Sequence, residues 1–127
     1  MKSPASEHVT LVEILELTRP FDEFESVTRA VARRLELEGI AALVTFQVYA
    51  EPGSNEVGLI ITFTDRSLIM QHITMITGWE EFGHLFRTAK PIDVRVYGTL
   101  SAEAEEWLRK VNVVSKTFTR HVAGFVR

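Results

Sequence analysis

Residues Glu56 to Trp79, EVGLIITFTDRSLIMQHITMITGW, change their hydrophobic period midway, and that change constrains the fold more than any other feature. Val57, Leu59, Ile61 and Phe63 alternate as a strand does, in residue types that suit a pleated surface. Gly58, Ile60 and Thr62 between them are scarcely polar, so both faces of this strand are predicted to be covered. At Thr64-Asp65 the alternation stops, and a side-chain oxygen is on hand for the free N–H groups that open a helix. Beyond that point Leu68, His72, Met75, Ile76 and Trp79 recur on one stripe at helical spacing. A covered strand therefore runs straight into an amphipathic helix whose apolar stripe carries an imidazole.

The rest of the chain extends this unit in both directions. Met1 to Glu7 is polar, contains Pro4 and reads as a frayed lead-in. His8 to Leu17 reads as a first strand, broken by Thr18-Arg19-Pro20. From Pro20 the pattern is helical, with Phe24, Val27, Val31 and Leu35 on one stripe and Gly39 as the stop. Ile40 to Ala50 is a second strand, with Val44, Phe46 and Val48 on one face and Leu43, Thr45, Gln47 and Tyr49 on the other. The turn cluster Glu51 to Asn55 makes it a hairpin with the Glu56–Phe63 strand. After Gly78, the residues Trp79, Phe82, Leu85 and Phe86 form a further helical stripe, as a second helix or as a bent continuation of the first. Pro91 to Leu100 alternates strictly as a strand, and Ser101 caps a helix over Glu103 to Lys110 that turns Trp107, Leu108 and Val111 inward. Thr117 to Arg127 reads as a last strand or extended tail.

The order β-α-β-β-α-β, followed by a helix and a strand, predicts an α+β fold of the split βαβ, ferredoxin-like kind, with helices on one face of an antiparallel sheet. Leu11, Leu15, Leu43, Leu59 and Ile61 are assigned to the opposite face, too apolar to meet water, so a homodimer paired through the sheet faces is expected. A polar layer of Glu13, Gln47, Tyr49, Arg95 and Tyr97 is expected at that face, with Glu13 one candidate to pair Arg95, serving either to fix the dimer register or as the polar end of a ligand cavity.

At 127 residues the chain fits one domain spanning residues 1–127, with its own core. A net charge of −3 gives a polyanion little to bind, and the aliphatic strand VGLIITF lacks the aromatic and basic surface of an RNA-binding sheet, so no nucleic-acid partner is expected. There is no cysteine for disulfide or thiolate chemistry. His8, His72, His84 and His121 share no ligand spacing, so no metal is expected, and the glycines form no phosphate-binding motif. The N-terminus MKSPASEHVTL has no apolar signal core and no run reaches membrane-spanning length, which predicts a cytoplasmic protein without membrane contact.

The hairpin VTFQVYAEPGSNEVGLIITFTD, the helix start DRSLIMQHI, the stretch VRVYGTLSAEAEEWL and the closing AGFVR resemble the dimeric α/β-barrel superfamily, in its antibiotic-biosynthesis-monooxygenase-like branch. The resemblance covers most of residues 8 to 127. It implies a homodimer that needs no cofactor and oxidises quinol or polyketide-type aromatics. The heme-degrading branch instead uses a strand Asn with a Trp that precedes its His; here Trp79 follows His72, and no Asn falls in a predicted strand. Cofactor-free oxidation requires a base, hydrogen bonds for the developing anion and a dry cavity. His72 is the candidate base, and Phe24, Phe46, Trp79 and Phe82 are the candidate walls of an aromatic pocket between helices and sheet. The alternatives are a catalytically silent small-molecule binder or sensor using the same cavity, or a plain core in which these residues only pack.

Overall fold

The computed structural model describes residues 7–127; of the expected lead-in from Met1 to Glu7, all but Glu7 lies outside them. Among the described residues the chain forms β1 (Val9–Leu17), α1 (Phe21–Glu38), β2 (Leu43–Ala50), β3 (Glu56–Phe63), a short 3-10 turn (Arg66–Leu68), α2 (Ile69–Thr77), α3 (Glu80–Thr88), β4 (Ala89–Tyr97), α4 (Ala102–Val111) and β5 (Ser115–Phe118). The expected continuous stripe from Leu68 to Trp79 is thus divided: α2 ends before Gly78, and Trp79 is the extended N-cap of α3, with φ −86° and ψ 132°. β4 starts two residues ahead of Pro91, directly after α3, and ends at Tyr97. Beyond β5 the tail has no regular structure and is exposed.

The strands lie in the order β2-β3-β1-β4-β5. β1 pairs antiparallel with both β3 and β4, β2 pairs antiparallel with β3, and β5 joins β4 in parallel. β1 and β2 therefore run the same way with β3 between them, the split βαβ arrangement expected. Two local devices set the ends of its elements. Asp65 Oδ1 accepts from the Ser67 amide at 2.9 Å, starting the turn into α2. At Gly39 a Cβ would stand 2.4 Å from the Leu35 carbonyl oxygen, so only glycine lets the chain leave α1 there.

The register decides which residues look inward. Leu11 faces Ile61 and Val96, Glu13 faces Leu59 and Val94, and Leu15 faces Val57. These form the helix-side layer, where Leu15, Val57 and Leu59 join Phe24, Val27, Val31 and Leu35 of α1 in one buried cluster. The assignment of Leu11, Leu15, Leu43, Leu59 and Ile61 to the open face is therefore corrected. A strand has period two, so an error of one residue in phase transfers every side chain to the other side. The open face instead presents Thr10, Val12 and Ile14 beside Thr62, Ile60 and Gly58, with Gln47 and Tyr49 on β2 and Arg95 and Tyr97 on β4. Arg95 Nε meets Asp93 at 3.0 Å rather than Glu13. Among the described residues no helix is long and apolar enough to cross a membrane.

Candidate active site

Sheet and helices do not close completely on one another. Between them lies an apolar cavity of about 110 Å³ that opens toward solvent. Its floor is Leu11, Glu13 and Leu15 of β1 with Leu59, Ile61 and Phe63 of β3. The helices supply Val31 and Leu35, then His72, Ile73 and Ile76, then Phe82, Leu85 and Phe86, and finally Ala104, Trp107 and Leu108. Trp107 (37% exposed) and Phe86 (49%) keep enough surface to mark the side that opens to solvent. Apart from Glu13 and His72, every lining residue is aliphatic or aromatic.

The two exceptions are both titratable, and burial perturbs each toward its neutral form. Glu13 stands in the inward row Val9, Leu11, Glu13, Leu15, and among the described residues neither a cation nor a hydrogen-bond donor meets its carboxyl. Loss of hydration pushes that carboxyl up to about 7. His72 is buried on α2 with its ring edge-on to Phe63, centroids 5.1 Å apart. Burial pushes its imidazole down to about 4, and its Nδ1 has no hydrogen-bond partner. Near neutral pH the cavity lining therefore holds a carboxyl poised between acid and carboxylate, and an uncharged imidazole. Such an arrangement can take up and return a proton and orient a hydroxyl, in surroundings that strengthen both interactions.

The residues singled out from sequence divide between this cavity and the core. His72, Phe46 and Phe82 line it. Phe24 is in the core beneath α1 at 2% exposure. Trp79 is also buried, with the Arg34 guanidinium 4.3 Å above its ring and Arg34 in turn bound to Glu81 at 3.0 Å. Neither reaches the cavity. Glu13, expected on the open face, is the group the sequence reading misplaced; its shared phase with Leu11 and Leu15 was the available signal. Phe63, Phe86 and Trp107 complete the walls without having been expected there. Among the described residues no three His, Cys, Asp or Glu side chains gather as a metal site would require.

Element order and sheet topology together define a ferredoxin-like α+β architecture, as expected from the sequence. No protein-family model and no curated protein matches this chain by sequence. In structure it is similar to MupZ from Pseudomonas fluorescens, at 13% identity and a TM-score of 0.65, over 98% of this chain and 94% of that one. It is also similar to SnoaB, a cofactor-independent oxygenase from Streptomyces nogalater, at 16% identity and a TM-score of 0.62, over 76% of this chain and 96% of that one. A candidate antibiotic biosynthesis monooxygenase from Caulobacter crescentus matches at 13% identity and a TM-score of 0.56, over 76% of this chain and 92% of that one. At such identities the likeness carries the fold.

Proposed function

We propose that this protein is a cofactor-independent monooxygenase acting on a quinol or polyketide-type aromatic held in the cavity between sheet and helices. The observation that carries the reading is the cavity itself: apolar walls enclosing one carboxyl and one imidazole, neither with a partner. Oxidation of an electron-rich ring requires little more from a protein than a proton acceptor, a hydrogen bond and exclusion of water. A methylene flanked by aromatic rings loses a proton to a base in the cavity, and the resulting carbanion gives one electron to molecular oxygen. The radical pair then forms a C–O bond as a peroxide. Loss of the remaining hydrogen from that carbon, as a proton, breaks the O–O bond. A carbonyl forms and water leaves, and the four electrons given up by the methylene account for the reduction of dioxygen. In this scheme the His72 imidazole hydrogen-bonds a ring hydroxyl, while Phe46 and Phe82 bracket the ring plane.

Oxygen uptake above the spontaneous rate, with a panel of hydroquinones and anthrones, tests the proposal. Wild type should consume oxygen with at least one of them, and His72→Ala should lose most of that activity. If aromatic ligands raise the melting temperature while no oxygen is consumed, the cavity belongs to a binding or sensing protein. Neither uptake nor thermal shift would leave the cavity without a role.

We propose in addition that a second copy covers the open face of the sheet. That face sets Val12, Ile14 and Ile60 among Gln47, Tyr49, Arg95 and Tyr97, and Ile60 is 36% exposed, a mixture of β-branched and polar groups of the kind found at paired sheets.

A further inference from the structure

We propose that Glu13 is the catalytic proton-transfer residue of the cavity, and that its ligand is an uncharged apolar ring system bearing one weakly acidic hydroxyl or enol. This deepens the reading above and rests on the cavity being a small-molecule site. The argument begins with what surrounds the carboxyl. β1 to β4, all four helices and Leu100 contribute to the lining, and His72 is the one titratable group they bring to it besides Glu13. With no Arg or Lys in the lining, a carboxylate or phosphate ligand would face an unneutralised anion in a poorly hydrated space. A protonated amine would meet Glu13 favourably but would have further N–H donors to satisfy, and the walls offer at most one acceptor more, on the neutral His72 imidazole. A hydroxyl has a single proton and fits the inventory: Glu13 accepts it, and the N–H of the neutral His72 imidazole donates to the oxygen.

The same inventory explains why Glu13 rather than His72 moves the proton. The cavity tolerates at most one negative charge, which lies either on Glu13 or on the ligand oxygen. Sharing one proton between two oxygens in the same dry space makes the transfer nearly balanced, which is the condition for fast acid–base catalysis. Burial has made the imidazole a weak base that is uncharged at neutral pH, so it serves as a hydrogen-bonding group. After oxygen has added, the acid form of Glu13 returns its proton to the departing hydroxide, completing the water released.

The test uses matched ligands on one ring and does not depend on turnover. Binding of 1-naphthol, 1-naphthoate and 1-naphthylmethylamine to the full chain is measured by calorimetry. Naphthol should bind most tightly; preference for the carboxylate or the amine overturns the proposal. Alizarin, whose colour reports its ionisation, is then bound to wild type, Glu13→Gln and Glu13→Asp near neutral pH. Wild type and Glu13→Asp should hold part of the dye ionised, while Glu13→Gln should bind it in the neutral form. Equal ionisation in wild type and Glu13→Gln overturns the role of Glu13, even if the cavity binds the dye well. Where a substrate is turned over, Glu13→Gln should lower kcat by about 100-fold with a smaller change in KM.

Discussion

Replacing Glu13 by Gln should change how stability depends on pH, in a direction and amount set by the site. The native carboxyl is pushed from an ordinary 4.5 to about 7, so the folded chain holds this proton more tightly than the unfolded one. The stability due to that proton is complete below pH 4.5 and is lost as the pH rises through about 7. At about 1.4 kcal/mol for each tenfold change in proton affinity, the loss is roughly 3 kcal/mol, a large part of a domain's net stability. His72 acts in the opposite sense. Its imidazole falls from 6.5 to about 4, so the stability it contributes is present above pH 6.5 and is lost as the pH falls through about 4, again by roughly 3 kcal/mol. In wild type the two slopes oppose each other across the interval they share, and the stability profile there should be nearly flat. Glu13→Gln leaves only the imidazole slope, so its stability should climb with pH over that interval; His72→Gln should decline. Urea denaturation of wild type, both single variants and the double variant, between about pH 4 and about pH 8, gives the comparison. Carboxylates elsewhere titrate in all four proteins and cancel in the differences. A wild-type minus Glu13→Gln difference that stays level across the range would mean an ordinary hydrated carboxyl, and the site as described would be wrong.

Three other outcomes follow from the same geometry. If a second copy covers the open face, Arg95→Ala should weaken the dimer roughly tenfold, since it removes the partner held at 3.0 Å by Asp93 and leaves that carboxylate to be desolvated alone; unchanged association in sedimentation would count against that interface. Gly98→Ala should cost about 2 kcal/mol or more in thermal unfolding, because φ is +123° and the new Cβ would lie 2.6 Å from the His8 carbonyl oxygen. Trp107 lines the cavity while Trp79 is enclosed beneath Arg34, so naphthol should quench wild-type emission and have little effect on Trp107→Phe.

Much of this architecture was legible in the chain because the signals were local. The change of period at Thr64-Asp65 located β3 and the following helix, Gly39 ended α1, and the Glu51–Asn55 cluster made the hairpin. The inside of the sheet was harder to read. In β1 both phases are apolar, Leu11 and Leu15 in one and Val12 and Ile14 in the other, so alternation alone cannot say which row meets the helices. Pairing with β3 and β4, fixed by contacts distant in sequence, makes that choice. Placing the leucines outside carried Glu13 out with them, and the cavity lost its acid. Trp79 was misplaced for a related reason. Its spacing from His72 fits one helix, but the break at Gly78 ends the stripe and turns the indole toward Arg34.

The cost of the site argues that it serves something other than folding. Leucine at position 13 would continue the row of Leu11 and Leu15, fill apolar space and remove the penalty of a half-ionised carboxyl near neutral pH. His72 could likewise be an aliphatic residue among Ile69, Ile73 and Ile76. Exposed ion pairs such as Arg19 with Glu23 and Arg29 with Glu25 add little to offset either loss. A structural polar pair in such surroundings would be expected to satisfy itself, with the carboxyl and imidazole bonded to each other or to backbone. Here neither is hydrogen-bonded, and both residues line the same space. Two groups perturbed in opposite directions by one dry cavity, each lacking the partner that would stabilise the fold, are arranged for a molecule that enters from outside.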